Sequence, residues 1–291
     1  MSPRVFYLCL GLGLSGCRGE APAGVSGASG AASLQQASAL AEDAARQARE
    51  AERALNPKGL PVYAGPVGSV RGVVKVSGDA PPLVAAMVEK LPPDACPRAH
   101  ELHRKLYRQG AGRSLADVLV TVTEYQGYLP IRGEAVRVEA KGCAFDGRII
   151  AMTLGQRLDV YNLDAQAYMP RLVGTPSYAL RVAMPGGNPV PIFAPQAGQY
   201  MLVDQTRDYM RSDLFVLNYP TFDVTGLDGE FEITGIPVGT VKVTAYAPAL
   251  GKVVEQRVDI EAGVPRQLAF EIAFSEGEYE ARSKSEPDTN R

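Results

Sequence analysis

The sequence predicts an all-β chain built as a β-sandwich with a second sandwich inserted into it, preceded by an N-terminal signal and an Ala-rich helix. Three observations carry this. Apolar and polar residues alternate with period two in short runs beyond Pro61. The chain holds 30 Gly and 22 Pro, the residues that close tight turns. Helical periodicity is confined to the segment before Pro57 and one short stretch near Cys96.

With 30 Lys+Arg against 32 Asp+Glu the formal net charge is -2, so no overall basic field points to nucleic acid. Hydrophobic residues make up 46% of the 291, enough for globular cores.

The chain opens with Arg4, an apolar run from Val5 to Leu14, and Leu14-Ser15-Gly16-Cys17. A run of this length is too short to span a bilayer, which needs roughly 20 apolar residues. The tetrapeptide resembles a bacterial lipobox, which implies cleavage after residue 16 and a lipid such as palmitate on Cys17. Segment 1–16 is thus a lipoprotein signal, and the expected location is the cell envelope, with the chain membrane-bound through Cys17. By the sorting rule of such lipoproteins, Arg18 in place of Asp favours the outer membrane over the inner. The competing reading is an ordinary secretory signal with a chance cysteine.

Residues 17–32 are nearly all Gly, Ala, Ser and Pro and read as a flexible tether. Segment 33–56 turns to helix formers. Leu34, Ala37, Ala41, Ala44, Ala48, Ala51 and Leu55 fall at alternating spacings of three and four. This seam suits a spacer, a helix lying on a partner, or weak self-association through 34–55, and Asn56-Pro57-Lys58-Gly59 ends it.

Strands are expected at Ser69–Val76, Ala116–Glu124, Ala135–Glu139, Gln156–Leu163, Leu214–Leu217, Glu230–Ile233, Thr240–Tyr246 and Val253–Ile260, with a short helix between Asp94 and Arg108. The tail 275–291 is polar and reads as disordered.

In an oxidising envelope, Cys9 leaves with the signal and Cys17 carries lipid, so Cys96 and Cys143 remain to form one disulfide. The competitor is a metal or redox site of Cys96 with His100 and His103, the only two His in the chain. No further local ligand completes a tetrahedral set there, and the expected cofactor is none.

The run Val224-Thr225-Gly226-Leu227-Asp228-Gly229-Glu230-Phe231-Glu232-Ile233-Thr234-Gly235-Ile236-Pro237 resembles the carboxypeptidase regulatory-like, transthyretin-type sandwich, with Asp228-Gly229 as a hairpin turn. Val70-Arg71-Gly72-Val73-Val74-Lys75-Val76 matches the opening strand of that family. The resemblance implies a discontinuous domain, 61–126 plus 217–274, around an insertion at 127–216. Gly142-Cys143-Ala144-Phe145, the strand from Gly155 to Asp164 and Tyr209-Met210-Arg211 make that insertion similar to the cupredoxin-like region of methylamine utilisation and plastocyanin-like envelope proteins.

Copper-binding members place a His after Asn-x-Asp, then a Cys-x-x-His-x-x-Met run. Here Tyr168, Asp204, Arg207 and Met210 stand at those positions, so the copper site is degenerate: a lone thioether cannot replace two imidazoles and a thiolate. An Asp204–Arg207 ion pair is one expectation, two solvated surface residues the other. Of Tyr168, Met169, Tyr178, Met184, Tyr200, Met201, Tyr209 and Met210, most suit a core, and Tyr168 and Tyr209 are the surface candidates.

There is no Gly-x-Ser-x-Gly, no His-Glu-x-x-His and no phosphate loop, and Asp204 with Asp208 is a common spacing. The expected function is therefore a non-enzymatic, lipid-anchored binding or structural module whose partner is a glycan or an envelope protein. The alternatives are a copper-binding or electron-transfer protein using Met210, Cys96, His100 and His103, and an accessory subunit of an envelope machine.

Overall fold

The computed structural model describes residues 49–84, 88–175 and 181–285, the last three by backbone alone. Cys17, the tether, helix residues 33–48, Tyr178 and the end of the tail lie outside the described residues.

The strands run in chain order as β1 (Val67–Gly78), β2 (Leu119–Thr123), β3 (Ala135–Lys141), β4 (Ala144–Phe145), β5 (Ile149–Thr153), β6 (Arg157–Asn162), β7 (Pro170–Leu172), β8 (Val190–Phe193), β9 (Gly198–Asp204), β10 (Arg211–Leu217), β11 (Phe222–Val224), β12 (Glu230–Pro237), β13 (Gly239–Ala247), β14 (Lys252–Ile260) and β15 (Pro265–Phe274). They form four sheets, and the chain is all-β in class.

One sheet is ordered β12-β1-β15 and another β11-β2-β13-β14. Alternation turns Val70, Val74, Phe231, Ile233, Val243 and Phe270 inward to one shared core. The other two sheets, β5-β10-β9-β7 and β4-β3-β6-β8, enclose a separate core that includes Phe145, Met152, Leu158, Leu202, Met210 and Leu214. Strands on either side of the 127–216 segment pair with each other: β2 joins β11 and β13, while β1 joins β12 antiparallel and β15 in parallel.

The sandwiches meet through Leu119, Ile149 and Phe215, with Phe215 edge-on to Tyr246 at a centroid distance of 5.9 Å. Burial of aromatic area at this seam fixes one sandwich against the other.

Helix α1 (49–55) seats Leu55 and Ala51 against the second core. These are the last two residues of the Ala seam, so this end of the helix lies on its own chain. Asn56 stops it, accepting from the Leu60 amide at 2.8 Å and donating to the Leu60 carbonyl at 2.7 Å. Helix α2 (Pro97–His103) starts with Pro at its first turn and buries Ala99 and Leu102. The Cys96–Cys143 disulfide, with Cα atoms 4.9 Å apart, ties it to the turn between β3 and β4.

Three expectations are corrected. The polar tail begins with helix α3 (Glu276–Ser285), because Arg282 donates to the Leu250 carbonyl at 3.0 Å, Lys252 pairs with Glu278 at 3.1 Å, and Tyr279 packs on Phe274. Asp228-Gly229 is no hairpin: it links β11 and β12, which belong to different sheets, so it turns a corner of the sandwich. Gly229, at φ +70°, is required there, since a Cβ would lie 2.5 Å from the Val74 carbonyl oxygen. Strands β4, β5, β7, β8, β9, β11 and β15 lie where none was expected.

Candidate functional site

The side chains that the copper resemblance singles out converge at one end of the second sandwich, on the loops after β6 and β9. Asp204 ends β9 with its carboxylate buried. It accepts from the Met169 amide at 2.5 Å, the Thr206 amide at 2.9 Å, the Thr206 hydroxyl at 2.8 Å and Arg207 Nη1 at 3.3 Å. Burial raises its pKa, but the Met169 and Thr206 donors and the Arg207 charge outweigh burial and hold it below the ordinary carboxylate range. Arg207 also donates to the Ala167 carbonyl and to Gln166, and its guanidinium lies 5.0 Å from the Tyr168 ring centroid.

Tyr168 is not a surface residue: it is fully buried, a correction with a plain cause. Its hydroxyl donates to Asp164 Oδ2 at 2.5 Å and accepts from Gln166 at 2.7 Å, so both polar needs are met inside. Burial and the Asp164 bond push its pKa well above the usual phenol value. Asp164 also accepts from the amides of Gly142 and Cys143, at 2.9 and 3.1 Å. Its pKa is lowered, because these donors and Tyr168 overcome the opposing effect of burial. Cys143 holds φ +64°, a strained value for a non-glycine residue, and the Asp164 carboxylate pins that turn. Met210 is fully buried, its amide bonded to the Arg207 carbonyl. Tyr209 is half-buried and Asp208 exposed, whereas the Asp204 carboxylate is buried.

Sequence reasoning missed Asp164 and Gln166, which join the two loops and the disulfide turn. The signal was present: Asp164 and Tyr168 stand four residues apart after a strand that ends in Asn162.

These residues do not fit a copper ion. The Asp204 oxygens already serve four donors, Arg207 places a fixed cation 3.3 Å away, and the Tyr168 phenol keeps its proton. The second ligand set fails differently. Cys96 Sγ is bonded to Cys143, the His100 Nε2 lies 2.9 Å from the Leu91 carbonyl, and Met210 belongs to the second core. Among the described residues no three His, Cys, Asp or Glu side chains are grouped as a metal would need. His103 is held neutral, its pKa lowered to about 3 by burial and then by Arg148, Arg211 and Arg108, and its Nε2 is buried without a partner.

A cleft of about 370 Å³ lies where the sandwiches meet. Its cations are paired, while Asp146 in its wall is a carboxyl whose pKa burial raises. Arg108 grips Asp117 with two bonds, at 2.7 and 2.6 Å. Arg137 bonds Glu139 at 3.0 Å and covers the Tyr161 ring, and Asp223 accepts from the amides of Val224 and Glu232.

No protein-family model matches the chain. No curated protein matches it. Among solved structures, the Cu-containing nitrite reductase from Thermus scotoductus SA-01 is 16% identical over 33% of this chain and 25% of that one, at a TM-score of 0.25. The match thus spans a quarter of the reductase. Amicyanin from Paracoccus versutus is 17% identical over 34% of this chain and 97% of its own, at 0.26. An amicyanin variant in its reduced state is 15% identical over 33% and 99%, also at 0.26. Scores at this level say nothing of site or activity, and the β-sandwich class rests on the sheets themselves.

Proposed function

We propose that this chain is a non-enzymatic, lipid-anchored envelope protein whose two joined sandwiches serve as a rigid binding or structural module for a glycan or another envelope protein. The observation that carries the reading is the state of the gathered titratable groups. Asp164, Tyr168, Asp204 and Arg207 at the sandwich end, and Arg108, Asp117, Arg137 and Asp223 in the cleft, are bonded to protein partners. General acid–base or nucleophilic work needs a group with a free lone pair or transferable proton facing a substrate, and these groups hold the loops instead.

We read the first sandwich as regulatory-like and the second as a metal-free relative of the cupredoxin-like envelope proteins, from the motifs quoted above. The anchor rests on Leu14-Ser15-Gly16-Cys17. The seating of Ala51 and Leu55 on the second core favours the module over a machine subunit that would keep this seam open for assembly.

The test is expression with tritiated palmitate, followed by fractionation and co-sedimentation with isolated envelope glycan. The expected result is a labelled membrane-bound chain that sediments with the glycan, with label and membrane association lost in Cys17→Ser. An unlabelled soluble chain would overturn the anchor. Absence of co-sedimentation, together with absence of cross-links to envelope proteins, would overturn the module.

A further inference from the structure

A second groove, of about 470 Å³, runs beside α2 and is the place where charge is left over. Its walls carry His100, Glu101, Arg104, Lys105, Arg108 and Gln109. Of its three cations, Arg108 is already paired with Asp117, which leaves Arg104 and Lys105 as the groove's unpartnered charges among the described residues. Glu101 is exposed and pairs with Arg108 Nη1 at 3.8 Å, not with Arg104 or Lys105.

Arg104 and Lys105 are exposed, and among the described residues their side chains have no hydrogen bond or ion pair. Their backbone, by contrast, is fixed. The Arg104 amide donates to the His100 carbonyl at 3.2 Å, and the Arg104 carbonyl accepts from the Val84 amide at 3.0 Å. The Lys105 and Leu106 carbonyls each accept from Arg148 at 2.8 Å. Arg108 is locked by Asp117, which orients its remaining Nη1 toward the groove side occupied by Glu101.

Anchored stems with free cationic heads are what anion recognition needs, because little order remains to be imposed on binding. The intersandwich cleft differs on this point, since its cations are already paired.

We infer that the α2 groove binds a phosphoryl group, with Arg104 and Lys105 as its ligands beside the Asp117-held Arg108. A phosphomonoester carries close to two negative charges, which the two unpartnered cations Arg104 and Lys105 can meet; a carboxylate ligand would leave one of them unmet. The volume accommodates a phosphorylated sugar. The same chemistry comes from two sources in an envelope, a phosphorylated glycan or a lipid headgroup. This inference adds a ligand class to the binding-module reading and rests on that reading only for the ligand's source.

The test uses the full chain, titrated by calorimetry with glucosamine 1-phosphate, glucosamine, and vesicles of neutral lipid with and without an anionic phospholipid. Binding of the sugar phosphate and not of glucosamine is expected. Loss of about tenfold in affinity for Arg104→Ala, and more for the Arg104→Ala, Lys105→Ala pair, follows from removing a charge-assisted contact. Both residues are exposed, so an unchanged thermal midpoint checks that the variants fold. Vesicle binding in place of sugar phosphate binding would assign the lipid headgroup as the source. No binding to any phosphate-bearing probe, or equal affinity in the double variant, would overturn the site. A chain that binds the sugar phosphate but lacks lipid removes the anchor and leaves the groove, so the two failures are distinct.

Discussion

Arg207 reaches back three residues to place Nη1 3.3 Å from Oδ1 of Asp204, a carboxylate whose side chain has no exposed surface. The pair bridges nothing distant by itself. Its effect comes from what each partner also holds: Asp204 the Met169 amide, Arg207 the Ala167 carbonyl and the Tyr168 ring, so the two loops close on each other.

Removing the buried member should be the more damaging change. Asp204→Ala leaves the amides of Met169 and Thr206 without their side-chain acceptor and the Arg207 guanidinium without its carboxylate, and is expected to cost about 3 kcal/mol. Arg207→Ala, at a partly exposed position, is expected to cost about 1 kcal/mol. Denaturant unfolding of both singles and the double should yield a coupling of about 1 kcal/mol; additivity would mean that the pair does not act as a unit.

The acid response follows from the same residues. Asp164 and Asp204 have folded pKa values below the ordinary carboxylate value, so their contribution is complete above about pH 4 and is lost as pH falls through the folded values. Asp146 and Asp213, raised by burial, act in the opposite sense and favour the folded state when protonated. The stability gap between the native chain and Asp204→Asn should therefore narrow below pH 4. A gap that is constant from pH 7 to about pH 3 would contradict the assignment.

How much of this was legible beforehand differs element by element. The alternation in Val70–Val76 and Thr240–Tyr246 is a local pattern, and those strands were read correctly. Strand β15 alternates as clearly, with Leu268, Phe270, Ile272 and Phe274, yet its parallel partner β1 is nearly 200 residues away and no local signal announces the pairing. Helix α3 reads as a disordered tail because its own composition cannot hold it; its anchors, Lys252, Leu250 and Phe274, belong to other elements. Tyr168 was misjudged for a related reason. A buried phenol depends on a partner, and Asp164 became visible as that partner only once the loop was folded.

The disulfide is the cross-link for α2. It closes a loop with a sequence separation of 47, for which loop entropy gives a ceiling of about 4 kcal/mol. The Cys96→Ala, Cys143→Ala variant is expected to lose about 2–4 kcal/mol, with faster amide exchange over Pro97–His103. Unchanged exchange there would show that the packing of Ala99 and Leu102 suffices.

At the seam between sandwiches, Phe215→Ala removes the ring that meets Tyr246 edge-on and is expected to cost about 3 kcal/mol. Because the seam joins two cores, the variant should unfold in two steps by calorimetry where the native chain unfolds in one. A single transition in both would show that other contacts couple the sandwiches.

The central claim is that charge and hydrogen bonds at Asp164, Tyr168, Asp204 and Arg207 close the end of the second sandwich without a metal. Calorimetric titration of copper into the full chain and its Met210→Ala variant tests it most directly. No stoichiometric binding that depends on Met210 is the expected result. One equivalent of copper bound by the native chain and lost in Met210→Ala would contradict it.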